Sequence, residues 1–155
     1  MLVLCISLLI GCDKESSEIQ IVSPSTDDIV GIKIGDISMI VGSNNWQKII
    51  YANEKYVTIG GTGNSSYVTI ATDGTNWSTP KQVGTTYWRD IVYANGKFVM
   101  VGNIGYITTS TDGINWSTPK QVGGTSVWSG ITYGSSKFVV VGGKGYITTS
   151  INGLN

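Results

Sequence analysis

Thirteen residues at 72–84, TDGTNWSTPKQVG, return at 111–123 as TDGINWSTPKQVG, with Thr75 against Ile114 as the single difference. The copying extends beyond this phrase. Trp46, Trp88 and Trp128 are 42 and then 40 residues apart, and Trp77 and Trp116 are 39 apart. Residues 91–115 match residues 131–155 without a gap, with fifteen of 25 positions identical. A period near 40 residues means that one small supersecondary unit is repeated, and such a unit buries its apolar surface only against its neighbours. The chain must therefore fold as an array, and the content of one period decides which array.

One period can be read from Trp88. WRDIVY alternates like a strand, and Ala94-Asn95-Gly96 is a hairpin turn, because Asn-Gly supplies the positive φ angles that tight hairpins need. KFVMVG is a second strand, Asn103-Ile104-Gly105 a short loop, and YITTS a third strand rich in β-branched residues. After the turn at Thr111-Asp112-Gly113, INWSTPKQV reads as a fourth strand. Its proline cannot donate to a ladder, which places that strand at a sheet edge. Ile91 and Tyr93 point to one face and recur as Ile131 and Tyr133; Phe98 and Val99 are adjacent, so both faces of the unit are apolar. Four short antiparallel strands, buried on both faces, make one blade. The expected class is all-β, a β-propeller of four-stranded antiparallel blades with about three blades present as an incomplete ring. A solenoid is the competing array, but its units carry fewer strands or a helix.

Ser110-Thr111-Asp112-Gly113-Ile114-Asn115-Trp116 resembles the Asp-box, or BNR, repeat of sialidase-like propellers, one residue shorter between Asp and Gly. The earlier copy has Ala71 in place of the Ser, and the last has Asn152 in place of the Asp. The resemblance covers residues 46–155 and speaks to fold more than to function. Physically, the carboxylate accepts backbone N–H groups and fixes the turn, Gly permits a positive φ, and the Trp fills space between blades. Asp73, Gly74, Trp77, Ser110, Asp112, Gly113, Trp116 and Ser150 are accordingly expected to be structural.

An enzyme of the sialidase type would bring three arginines, a Tyr–Glu nucleophile pair and an acid/base Asp. Arg89 is the only arginine, and there is no histidine. The repeat region holds four acids, Glu54, Asp73, Asp90 and Asp112, of which two are Asp-box residues and Glu54 sits in a turn. Asp90 alone does not make the carboxylate pair of a glycosidase. No catalytic residue, metal site or cofactor is expected. Charge is low, at 13%, with ten acids against ten bases, which disfavours a phosphate-tracking nucleic-acid surface.

A binding surface is the better expectation. Propeller ligands meet the loops between second and third strands and the loops between blades, here 60–66, 103–105, 142–145, 83–87 and 122–127. These loops vary between copies while the strands repeat. Asn64, Ser65, Asn103 and Lys144 occupy the first kind, and Tyr87, Trp88, Arg89 and Asp90 stand beside the second. The expected function is a non-catalytic binding or scaffold module for a protein or glycan. The alternative is a fragment of a sialidase-type exo-glycosidase whose catalytic residues lie in missing blades.

The two ends add an address and a gap. MLVLCISLLI is a secretory-type apolar run, too short to span a bilayer. Leu9-Ile10-Gly11-Cys12 resembles a bacterial lipobox, which implies a signal peptide over 1–11, a lipid on Cys12 that anchors the chain to the bilayer, and residence in the cell envelope outside the cytoplasm. Residues 13–18 are polar and charged, so 12–25 reads as the lipidated Cys and a flexible tether, and 26–155 as the partial propeller, with repeats starting near 46, 88 and 128. The third copy of the phrase, SINGLN, stops before its Trp. The expectation is a fragment of a longer product. Self-association to complete the propeller, or closure through Ile37–Gly42 as a fourth strand, are the alternatives.

Overall fold

Alternation and turn chemistry produce the strands where they are expected. In the computed structural model, which describes residues 40–153, eleven strands form three antiparallel sheets of four, four and three strands. The first sheet is β1 (Asn45–Ala52), β2 (Lys55–Thr62), β3 (Ser65–Ala71) and β4 (Lys81–Gln82). The second is β5 (Trp88–Ala94), β6 (Lys97–Gly102), β7 (Tyr106–Ser110) and β8 (Lys120–Gln121). The third is β9 (Trp128–Gly134), β10 (Lys137–Gly142) and β11 (Ile147–Ser150). Strands neighbour one another in chain order within every sheet. The chain is all-β over the described residues, with single 3-10 turns at Asn103–Gly105 and Gly143–Gly145. The sheets form no closed ring among these residues. The expected signal peptide over 1–11, Cys12, the expected tether and the rest of the chain up to residue 39 lie outside the described residues, as do residues 154–155.

The hairpins follow the turn prediction closely. Asn95 and Gly96 take φ of 51° and 70°, the left-handed pair that a two-residue turn between twisted strands requires. The equivalent turns use Asn53-Glu54 and Ser135-Ser136, whose φ values are 50°, 59°, 48° and 60°.

The fourth strand is shorter than expected. Only Lys81–Gln82 and Lys120–Gln121 pair as strand, just after Pro80 and Pro119. The residues before each proline are held by a side-chain clip instead. Ser117 donates its N–H to Thr109 O and its Oγ accepts Thr109 N–H, while Thr108 Oγ1 donates to Ser117 O. Ser78, Thr69 and Ile70 repeat the arrangement. A proline without an N–H cannot continue the ladder, so hydroxyls do.

Period-2 alternation then decides how sheets stack. The second sheet points Trp88, Ile91, Phe98 and Met100 to one face, here its front, and Val99, Val101 and Ile107 to the other, its back. The front packs on Val57, Ile59 and Val68 of the first sheet. The back packs on Trp128, Ile131, Phe138 and Val140 of the third. Trp88, Phe98, Val99, Met100 and Val101 have no exposed surface, which is why adjacent residues on β6 are all apolar. The three spaced tryptophans share one bond: the indole N–H donates to Val41 O, Val83 O and Val122 O for Trp46, Trp88 and Trp128, at 3.0, 2.8 and 3.0 Å.

Candidate functional site

The repeated Asp turns come first, since they hold two of the four acids of the repeats. Asp112 Oδ1 accepts the N–H groups of Ile114 and Asn115, each at 2.8 Å, and Oδ2 accepts Asn115 Nδ2 at 2.8 Å. Asp73 does the same with Thr75, Asn76 and Asn76 Nδ2, at 2.9, 2.8 and 2.6 Å. These donors, the backbone N–H of Asn115 and of Asn76 foremost, hold both carboxyls well below the usual carboxylate range. Gly74 and Gly113 take φ of 76° and 77°. Ser110 Oγ donates to Asp112 Oδ1 and accepts Gly113 N–H, both at 2.9 Å, and Ser150 repeats this with Asn152 and Gly153. Trp116 donates its indole N–H to Gly113 O and stacks tilted on Phe98; Trp77 stands likewise against Tyr56. Every carboxylate oxygen in these turns is engaged in holding the turn.

Asp90, the remaining aspartate, is also engaged. Its Oδ1 accepts Ile91 N–H at 2.9 Å and meets Lys48 Nζ at 3.1 Å; its Oδ2 accepts Ile131 N–H at 2.9 Å. One side chain on β5 thus ties β1 on one side to β9 on the other. Trp88 is fully buried, with its indole N–H committed to Val83, so it offers no face to a ligand. Contrary to the expectation that they face a ligand, both belong to the stacking of sheets.

The rim is different. Asn103 N–H donates to Tyr87 O, and Thr86 Oγ1 donates to Asn103 O, which draws the 103–105 turn onto the 83–87 loop. Arg89 Nε then donates to Asn103 Oδ1 at 2.9 Å, and its guanidinium lies over the Tyr87 ring, 5.0 Å from the centroid. Tyr87, Arg89 and Asn103, three of the expected candidates, therefore form one cluster in which Arg89 is exposed and Tyr87 and Asn103 are half-buried. A guanidinium fixed by an aromatic face and one hydrogen bond keeps its remaining donors in a set orientation, suited to a planar acceptor such as a carboxylate. The third sheet docks its equivalent turn the same way, through Gly143 N–H to Val127 O. Lys144 is exposed in that turn, with φ of 59°. Asn64 is exposed in the β2–β3 loop, and Ser65 Oγ accepts Gln82 Nε2 at 3.4 Å. Neither Lys144 nor the Asn64–Ser65 pair has a bond to the Arg89 cluster.

Sequence reasoning sets Ser66 in the 60–66 loop beside Asn64 and Ser65, whereas it lies in β3, and it missed Thr86. Ser66 is fully buried, and its Oγ accepts Trp88 N–H at 3.0 Å, linking the first sheet to the start of the second. Its only signal was a small polar residue at an inward position of a strand. Among the described residues no three His, Cys, Asp or Glu side chains converge as metal ligands would. Comparison of the chain with protein-family models, with curated proteins and with solved structures finds no match.

Proposed function

We propose that this chain is a membrane-anchored bacterial lipoprotein of the cell envelope whose stacked sheets are part of a sialidase-like β-propeller, used as a non-catalytic binding or scaffold module. The fold reading rests on three sheets of like design, the second and third each presenting its front to the back of the one before. Radial repetition of such sheets is the propeller solution. The functional reading rests on one observation: the acids Asp73, Asp90 and Asp112 are spent on backbone N–H groups, while the rim gathers half-buried Tyr87 and Asn103 around an exposed Arg89. Such a surface suits recognition; among the described residues it has no paired carboxylates with which to hydrolyse. Its ligand is a protein or a glycan, with an acidic group opposite Arg89.

A glycan array with the full chain tests this directly. Binding that weakens at least tenfold in Arg89→Ala, without turnover, is the expected result. Release of sialic acid or another terminal sugar would sink the reading in favour of an exo-glycosidase. The anchor is tested separately: Cys12→Ser should release the protein from membranes, and unchanged partitioning would defeat the lipobox assignment.

A further inference from the structure

The two junctions between sheets are built from one set of contacts. Lys55 at the start of β2 donates to Asp112 O in the turn of the second sheet, at 3.0 Å; Lys97 at the start of β6 donates to Asn152 O in the turn of the third, at 3.4 Å. The turn glycine lies on a valine of the sheet before: a methyl on Gly113 would stand 3.4 Å from Val57, and one on Gly153 would stand 3.0 Å from Val99. Between these fixed points the front of one sheet closes on the back of its predecessor.

Both halves of this set recur without a mate among the described residues. The front of the first sheet carries the Asp73–Gly74 turn, with Ile49 exposed at 54%, where the equivalent Ile91 and Ile131 are exposed at 3% and 8%, and with Tyr51 exposed at 62%, where Tyr93 and Tyr133 are half-buried. A concavity of about 370 Å³ opens there between Trp46, Ile49, Thr58 and Trp77. The back of the third sheet carries Lys137, in the place of Lys55 and Lys97, and Val139, in the place of Val57 and Val99. Beside them Val141 and Ile147 are exposed at 45% and 69%, where Val101 and Ile107 are exposed at 0% and 7%. Each face holds what the other needs. Val41 and Gly42 also stand as the end of a preceding sheet's outer strand would. Val41 O accepts the Trp46 indole, and a methyl on Gly42 would meet Pro80 at 3.3 Å, as one on Gly84 would meet Pro119 at 2.9 Å.

We propose that the occupant of both faces is a second copy of this chain, mated head to tail: the back of the third sheet of one copy covers the front of the first sheet of the other, twice over. In that pairing Lys137 reaches Asp73 O of the partner copy and Val139 meets its Gly74. Val41 N–H of one copy meets Gly145 O of the other, as Val122 meets Gly105 within the chain at 2.7 Å. A head-to-tail contact between unlike faces closes only if its rotation fits a ring. The described residues of two copies bring six sheets, within the roughly four to eight of a closed propeller. The ring rests on the propeller reading above and is independent of any ligand.

Sedimentation of the full chain in detergent tests this, with Ile49→Asp and Val141→Asp as variants at exposed positions. The wild-type chain should run as a dimer and each variant as a monomer with an unchanged circular-dichroism spectrum. Ile104→Asp, on the rim, should remain dimeric. Mixing the two face variants should restore pairing, because one intact back meets one intact front. A monomeric wild type, a dimer indifferent to both substitutions, or no recovery on mixing would overturn the proposal. So would a monomer whose Ile49→Cys thiol resists labelling, since the first 39 residues would then be the occupant. Filaments of unlimited length would overturn the closed pair and the propeller reading together, whatever the glycan array shows.

Discussion

The carboxylate of Asp90 accepts the backbone N–H of Ile131, 41 residues away, at 2.9 Å, while its other oxygen meets Lys48 at 3.1 Å. The three positions are equivalent in the three sheets but carry different residue types: Lys48, Asp90 and Gly130 stand in the same place. The repeat is broken there, and the break holds adjacent sheets together.

Removing that carboxylate should therefore weaken the stack more than removing the lysine. Asp90→Ala leaves the partly buried N–H of Ile131 without its acceptor and should cost about 1–3 kcal/mol. Lys48 is half exposed, and Lys48→Ala should cost about 0–1 kcal/mol. Asp90→Asn keeps an acceptor and should fall between them. Urea unfolding of the three variants gives the order; Lys48→Ala proving the worst would contradict the assignment of Ile131 as the main partner.

The Asp turns offer a comparison within one molecule. Ser110 makes two bonds at 2.9 Å that Ala71, at the same place in the first sheet, cannot make. Ser110→Ala should lower stability by about 1 kcal/mol, and Ala71→Ser should raise it by a similar or smaller amount. Opposite signs in the unfolding midpoints are expected. A loss in both would show that the buried Ala71 site has no room for the hydroxyl.

Acid should loosen the same turns. The folded pKa values of Asp73 and Asp112 lie below that of an unfolded carboxyl, about 3.9. Their contribution is thus present above roughly pH 4 and is lost as the pH falls through the folded values. The melting temperature should drop below about pH 4, and the double variant Asp73→Asn, Asp112→Asn should drop less steeply. Both turns are largely open to solvent, so the difference should be modest. Parallel acid limbs would remove these carboxylates from the account.

One hairpin is open to improvement. Ser135 and Ser136 hold φ of 48° and 60°, where only glycine, and to a lesser extent asparagine, are at ease. Replacing the pair with Asn-Gly, the residues at 95 and 96, should stabilise by about 1 kcal/mol, the left-handed penalty less the entropy of an added glycine. Conversely, Gly96→Val should cost about 1–2 kcal/mol. Thermal unfolding reads both, and a lower midpoint for the Asn-Gly hairpin would be the contrary result.

Much of this architecture is legible in the sequence because it is local. The hairpin at Asn95-Gly96 and the turn at Asp112-Gly113 are set by φ and by bonds two or three residues long, so a reader needs only the neighbouring letters. The fourth strand misled because β propensity and alternation continue through Trp116 and Ser117, whereas Pro119 ends the ladder and a serine clip replaces it. The candidate site was half legible. Arg89 and Asn103 are close because their loops dock, and Tyr87 follows them, but Trp88 and Asp90 in the same run of four turn inward. A register shift between Trp88 and Asp90 also brings Trp88 and Ile91, three residues apart, into one core, and it has no signature in the letters.

The sequence by itself thus determined the repetition of sheets, their first three strands and the corners between them, since a repeated period repeats its local energies. Only the tertiary structure decided which face of each sheet meets which, that Ser66 and Asp90 bridge sheets, and that Ile49, Tyr51, Val141 and Ile147 remain uncovered among the described residues. Those choices depend on which apolar faces can leave water together and which buried N–H finds an acceptor. Both conditions join residues a full period apart, where alternation within one strand carries no information.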